Sequence, residues 1–230
     1  MEHLSNIELY FTPHSLVNEK QIIIKDEEYH HCINVMRNLV SDTLFVTDGE
    51  GKIYESEIYK IAENKLIAKI RKKSEFENKS NNIWFCIPVL KNPDRLKFAF
   101  EKCVELGITN FILFSSKNTI SKNLKPQKFQ KITLAAMKQS LRSFLPKINS
   151  ATFNEIIKLP GTKILFDQNV KKYFDGKLNF VEPIYLLFGP EGGFDEDEIE
   201  SVELSTRFNL AFNRLRSETA IIKCASLLKL

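Results

Sequence analysis

Apolar positions along the chain fall into short runs separated by polar stretches, and the spacing of those runs changes partway through. Residues 7–11, 20–24, 43–47, 52–61 and 65–71 read as short strands, with Asp48-Gly49-Glu50-Gly51 as a hairpin turn. One helix interrupts them: Asp26 is placed to cap it, and Tyr29, Ile33 and Met36 mark one face up to Arg37. This predicts a small β-barrel or β-sandwich. The polar stretch from Lys72 to Asn82 reads as a linker. Beyond it, apolar runs near 83–90, 109–114, 163–166, 183–188 and 207–212 alternate with helical spacing. Leu96, Phe100, Cys103 and Val104 lie on one helical face that stops at Gly107, and a longer helix begins near Pro126 and carries Phe129, Ile132 and Ala136. Strands alternating with helices argue for an α/β domain whose mainly parallel sheet is covered on both faces. The expected division is 1–72 and 73–230.

Two late loops carry the most chemistry. Phe188-Gly189-Pro190-Glu191-Gly192-Gly193-Phe194 follows the run Ile184–Phe188 and precedes Asp195, a helix cap whose capping-box partner is Glu198. Its glycines permit left-handed dihedrals and close approach of a ligand, and Pro190 restricts the loop. Asn213-Arg214-Leu215-Arg216-Ser217-Glu218-Thr219-Ala220 follows a run ending at Leu210 and Phe212, and Ser217 is a candidate cap for a helix whose face is Ile221, Cys224, Ala225 and Leu228. Loops at matching strand ends are expected to face one pocket made largely of backbone.

Composition removes several alternatives. The four cysteines form no CxxC pair and His30 and His31 are adjacent, so no structural metal is expected. The sequence shows no secretory h-region and no apolar stretch near membrane-spanning length, which with unpaired thiols predicts a soluble, cytoplasmic protein with no membrane role. Neither GxGxxG after the first strand nor GxxxxGK[ST] is present, and all four histidines lie in the β-rich part, which disfavours nucleotide folds of those kinds and a His-dependent hydrolase. Charge is uneven: residues 73–150 hold fourteen Lys or Arg against five Asp or Glu, and no carboxylate occurs from Leu106 to Asn154. A one-sign stretch of this length favours a polyanion, most simply RNA or DNA, without naming it.

In order along the chain, His31–Arg37, Lys91–Arg95 with Glu101–Gly107, Met137–Arg142 with Leu145–Lys147, Gly189–Gly193 and Leu215–Ala220 resemble the bacterial small-subunit (16S) ribosomal RNA uridine-N3 methyltransferases of the SPOUT superfamily. The resemblance implies a PUA-like N-terminal β-barrel that binds RNA and a C-terminal SPOUT-type α/β domain threaded into a trefoil knot. It also implies a homodimer with S-adenosylmethionine held in the knot, acting on ribosomal RNA or the assembled small subunit. Carried over residue by residue, the cofactor loops become Leu165 and Phe166, then Phe188, Gly189, Pro190, Glu191, Gly192 and Gly193, then Leu210, Leu215, Arg216, Thr219 and Ala220. A guanidinium from Arg142, Arg214 or Arg216 is expected to stabilise charge on the uracil carbonyls, with Arg216 preferred and Glu218 orienting it. Arg37, Lys122, Lys125, Lys128, Lys138 and Arg142 are the expected RNA contacts.

The sequence departs from the family pattern at Ala211, where glycine is usual, at Lys117-Asn118-Thr119 in place of Glu-Arg-Ser, and at Glu8 in place of an arginine. Two other readings share parts of the pattern: a knotted methyltransferase acting on a different RNA, and a non-catalytic RNA-binding assembly factor.

Overall fold

A computed structural model describes residues 7–119, 126–178 and 181–230. The chain divides into two compact units, the first made of residues up to Asn78 together with Met137–Leu145, the second of Lys79–Ala136 and Pro146–Leu230.

The first unit is a five-stranded sheet of β1 (Leu9–Phe11), β2 (Gln21–Lys25), β3 (Thr43–Thr47), β4 (Lys52–Ala62) and β5 (Lys65–Glu75), in the order β1-β3-β4-β5-β2. Alternation sends Ile22 and Ile24 of β2 inward to meet Leu44, Val46, Ile58 and Leu66 in one core. The predicted hairpin turn forms: Asp48 Oδ1 accepts from the amides of Glu50 and Lys52 at 2.9 and 3.2 Å. α1 (Asp26–His30) continues as a π-helical turn, His31–Val35. Asp26 does not cap it; Lys25 holds that position without a side-chain bond, and Asp26 itself has φ of 54°.

The unit differs from the expected 1–72 in two places. Residues read as linker continue β5 to Glu75, because β4 pairs with them in register as far as Lys52 opposite Glu75. Met137–Leu145, expected with the α/β domain, closes on the hairpin instead. Gly51 N donates to Ser143 O at 2.9 Å, Leu145 N to Gly49 O at 2.8 Å, and Thr47 Oγ1 to Ser143 O at 3.2 Å.

The second unit contains β6 (Ile83–Pro88), α2 (Pro93–Glu105), β7 (Asn110–Ser115), α3 (Pro126–Gln139, which runs on into the first unit), β8 (Lys147–Thr152), α4 (Phe153–Lys158), β9 (Thr162–Phe166), β10 (Ile184–Leu187), α5 (Glu196–Glu200), β11 (Arg207–Phe208) and α6 (Ser217–Leu227). Its six strands pair in parallel in the order β11-β9-β10-β6-β7-β8. Gly107 ends α2 as predicted, with φ of 95°, its amide bonded to Val104 O at 2.9 Å and that of Ile108 to Cys103 O at 3.0 Å. Of these elements β8 and α4 were not anticipated, although Thr152 and Glu155 form a capping box that starts α4. Lys-Ile-Asn-Ser-Ala-Thr has too few apolar residues to read as a strand, and an edge position tolerates that.

The strand order decides where a ligand can sit. β6, β7 and β8 step outward in one direction. β9 then starts on the other side, leaving a slot that β10 fills between β9 and β6. A crevice beyond the carboxyl ends of strands is expected where the direction of winding reverses.

Candidate functional site

A cavity of about 640 Å³ opens beyond the carboxyl ends of β9, β10 and β11, a size suited to a small organic ligand. Three loops build it. The first leaves β9 at Phe166 and begins with Asp167, whose amide donates to Phe208 O at 2.9 Å. The second is the Gly189–Phe194 turn, closed by Gly193 N donating to Pro190 O at 2.9 Å. Of its three glycines only Gly193 needs left-handed dihedrals, with φ of 73°, and open space surrounds it where a Cβ would stand. The third runs from Asn209 to α6.

Side chains lock these loops to one another. Ser217 Oγ donates to Gly189 O at 2.7 Å, joining the second loop to the third. Asn209, buried, donates from Nδ2 to Gln168 O at 3.0 Å and accepts at Oδ1 from Ala211 N at 3.1 Å, joining the third loop to the first. Glu191 accepts from Lys91 N at 3.0 Å, and Asn118 Nδ2 donates to Gly193 O at 3.3 Å. The predicted capping box at Asp195 and Glu198 is present. Glu198 also accepts from Lys117 N at 3.0 Å, while the Lys117 ammonium meets Asp195 and Asp197, whose carboxylates raise its pKa above the ordinary lysine value. The Lys117-Asn118-Thr119 segment that departs from the family pattern therefore holds the glycine turn and the start of α5. Ala211 is also accommodated: its φ is not positive, so the extra Cβ meets no backbone strain.

The sequence expectations sort clearly. Phe166, Gly189, Pro190, Glu191, Gly192, Gly193, Leu210, Leu215, Arg216, Glu218 and Ala220 line the cavity. Leu165 and Phe188 do not, because both are fully buried beneath it; Phe188 stacks on Phe166 with ring centroids 5.0 Å apart. Thr219 is exposed and points to no lining role. Ser217 is not the cap of its own helix, since Arg216 occupies that position, and its hydroxyl crosses to Gly189 instead. Arg142 belongs to the segment grouped with the first unit and does not line the cavity. Glu218 is paired with Arg95, not with Arg216: Arg95 Nε lies 3.5 Å from its Oε1. Sequence reasoning gave no site role to Arg95, Asp167 and Asn209, which line the same space. Arg95 stood in the Lys91–Arg95 stretch that carries the resemblance, while Asp167 and Asn209 had only their position at two strand ends.

The expected RNA contacts also divide. Arg37 is exposed at φ of 60°, where the helix of the first unit ends, and Lys128 is exposed on α3. Lys138 is committed elsewhere, paired with Glu28 with both side chains mostly buried. Lys122 and Lys125 lie outside the described residues. Among the described residues no group of three His, Cys, Asp or Glu is placed to hold a metal, and no helix is long and apolar enough to cross a membrane. All four cysteines are unpaired and buried, and burial pushes the thiols of Cys86, Cys103 and Cys224 well up.

Residues 77–229 match the RNA methyltransferase domain model, and residues 24–71 the PUA domain model of RNA methyltransferases. The chain belongs to the RNA methyltransferase family. It is 30% identical to ribosomal RNA small subunit methyltransferase E 2 of Borreliella burgdorferi, with 87% of this chain and 88% of that protein covered. Ribosomal RNA small subunit methyltransferase E of Rickettsia conorii is 25% identical over 96% of this chain and 94% of its own. Among solved structures, the Neisseria gonorrhoeae ribosomal RNA small subunit methyltransferase E bound to S-adenosyl methionine superposes with a TM-score of 0.84, 25% identity and 96% of both chains covered. The fold is accordingly a SPOUT-type α/β unit with a parallel sheet, preceded by a PUA-like domain.

Proposed function

We propose that this protein transfers a methyl group from S-adenosylmethionine to N3 of a uridine in small-subunit ribosomal RNA. Family membership and the named relatives make it an S-adenosylmethionine-dependent ribosomal RNA methyltransferase. The single observation that carries the site is the Ser217 to Gly189 bond, which brings the glycine turn and the Arg-Ser-Glu-Thr loop onto one cavity. Its walls suit the donor: Phe166, Leu210 and Ile199 offer apolar surface, and Asp167, Asn209 and the loop backbone offer polar groups.

In this reading Phe166, Gly189–Gly193, Leu210, Leu215 and Ala220 hold the donor, which supplies an already activated methyl group. The chain then has to hold uracil N3 in line with that group and accommodate negative charge on the carbonyl oxygens as the N3 proton leaves to water. Hydrogen bonds of the protein itself, mostly from side chains to backbone, tie the loops to one another, which leaves little ordering to do on binding. RNA is gripped by Arg37 of the PUA-like domain and by Lys128 of the basic middle of the chain. A trefoil knot around the cavity, a homodimer and a cytoplasmic setting complete the proposal, each drawn from the resemblance.

Incubating the protein with small ribosomal subunits and methyl-labelled S-adenosylmethionine, then mapping the modified base by mass spectrometry, tests this. One uridine gaining a methyl group on N3 is the expected result. Label in a different RNA, or on another atom, refutes the substrate.

A further inference from the structure

Among the described residues three arginines line the cavity, Arg95, Arg214 and Arg216. They are held differently. Arg214 and Arg216 belong to the loop before α6, and Arg216 is exposed at the cap position of that helix. Arg95 comes from the first turn of α2, whose start is fixed by Asn92 Oδ1 accepting from the amides of Asp94 and Arg95 at 2.9 and 3.4 Å. Its guanidinium meets Glu218 of α6 through Nε, and the Glu218 side chain is only 12% exposed against 38% for Arg95. Among the described residues this is the only polar contact that either side chain makes.

We infer that Arg95 is the catalytic guanidinium that meets the reacting base, and that Glu218 is the residue that positions it. The inference rests on the methyl-transfer reading above. A carboxylate enclosed to this degree is costly unless a cation partners it, so Glu218 has reason to keep Arg95 at the cavity. The ion pair's closest approach is at Nε, 3.5 Å, which leaves the two terminal nitrogens of the fork for a second acceptor. Uracil presents a carbonyl on each side of N3. When the N3 electron pair takes the methyl group, the N3 proton leaves to water, the sulfur keeps the electron pair of the bond that breaks, and charge develops on those oxygens on the way. A planar fork held beforehand stabilises that charge more than it stabilises the resting base. Two helices, α2 and α6, thus set the reacting end of the site, while the loops set the donor end.

Full-length variants Arg95→Ala, Arg95→Lys, Glu218→Gln and Arg95→Ala with Glu218→Gln are assayed on small ribosomal subunits, with donor affinity measured separately by calorimetry and folding by circular dichroism. Arg95→Ala is expected to lower kcat on the order of 100- to 1,000-fold, with donor Kd and the KM for subunits within about threefold of the parent. Arg95→Lys keeps the charge without the fork and should recover no more than about tenfold of that loss. Glu218→Gln should reduce kcat less than Arg95→Ala and add nothing to it in the double variant, since it acts through Arg95. A folded Arg95→Ala protein with parental kcat, or one that loses donor affinity alone, overturns the assignment, and additive losses in the double variant overturn the positioning role. If the parent protein binds donor yet methylates no subunit, the substrate reading fails and takes this assignment with it. If the parent is active and Arg95→Ala equally so, the assignment fails alone.

Discussion

Removing the hydroxyl of Ser217 probes the joint between the two loops directly. Ser217→Ala deletes a 2.7 Å bond to the carbonyl of Gly189 and leaves the backbone of both loops in place. Both residues are partly exposed, so water can replace the lost donor, which puts the cost near the net value of one hydrogen bond, about 1 kcal/mol, and below the about 3 kcal/mol of a fully buried orphaned acceptor. Where that cost is felt depends on when the bond forms. If the loops are joined before ligand arrives, the variant loses stability and its melting transition falls by about 2–4 °C, with donor affinity close to parental. If the bond closes only around the donor, the same energy becomes about a fivefold rise in Kd at unchanged melting temperature. The other anchors, Asn209 to Gln168 and Asn118 to Gly193, favour the first outcome because both are bonds within the protein that need no donor atom. Differential scanning calorimetry with and without S-adenosylmethionine, alongside isothermal titration, distinguishes the two. A variant with both quantities unchanged refutes the idea that this bond joins the loops.

Four further variants test other parts of the structure. Gly161 has φ of 115° and a Cβ there would collide with the carbonyl of Pro183, so Gly161→Ala should cost about 2–4 kcal/mol in denaturant unfolding; a change below about 0.5 kcal/mol contradicts the placement. Glu155 accepts from the Thr152 amide and hydroxyl at 2.6 and 2.9 Å, which holds its carboxyl below the usual range. Its contribution is therefore full above the unfolded value of about 4.3 and lost as pH falls through the lower folded value, so the stability gap to Glu155→Gln should be flat above about pH 5 and close in acid; a gap that widens in acid reverses the sign and rejects it. Lys128→Glu should weaken RNA binding and reduce its salt slope by about one or more, whereas Lys138→Met should leave the slope alone and lower the stability of the first unit. Equal slopes for both variants would mean that the Glu28 pair does not withdraw Lys138 from the RNA.

The sequence by itself determined the class of each half, the ends of several elements and most of the cavity-lining loops. Hydrophobic period marks strands and helices wherever one face is buried, and Gly107, Asp195 with Glu198, and the Asp48 turn announce themselves because local hydrogen bonds within a few residues create them. What lay beyond it were relations between distant residues. β8 has no apolar run of its own and exists because β7 pairs with it. Met137–Leu145 joins the first unit through bonds to a hairpin nearly a hundred residues earlier. Glu218 stands two residues from Arg216 in sequence yet pairs with Arg95 of another helix, and Lys138 stands in a run of positive charge yet is taken up by Glu28. Local propensity and periodicity are properties of a short window and can be read from one. Which cation a carboxylate meets is set by how helices and sheet strands come together across the chain, and only the tertiary structure decided that.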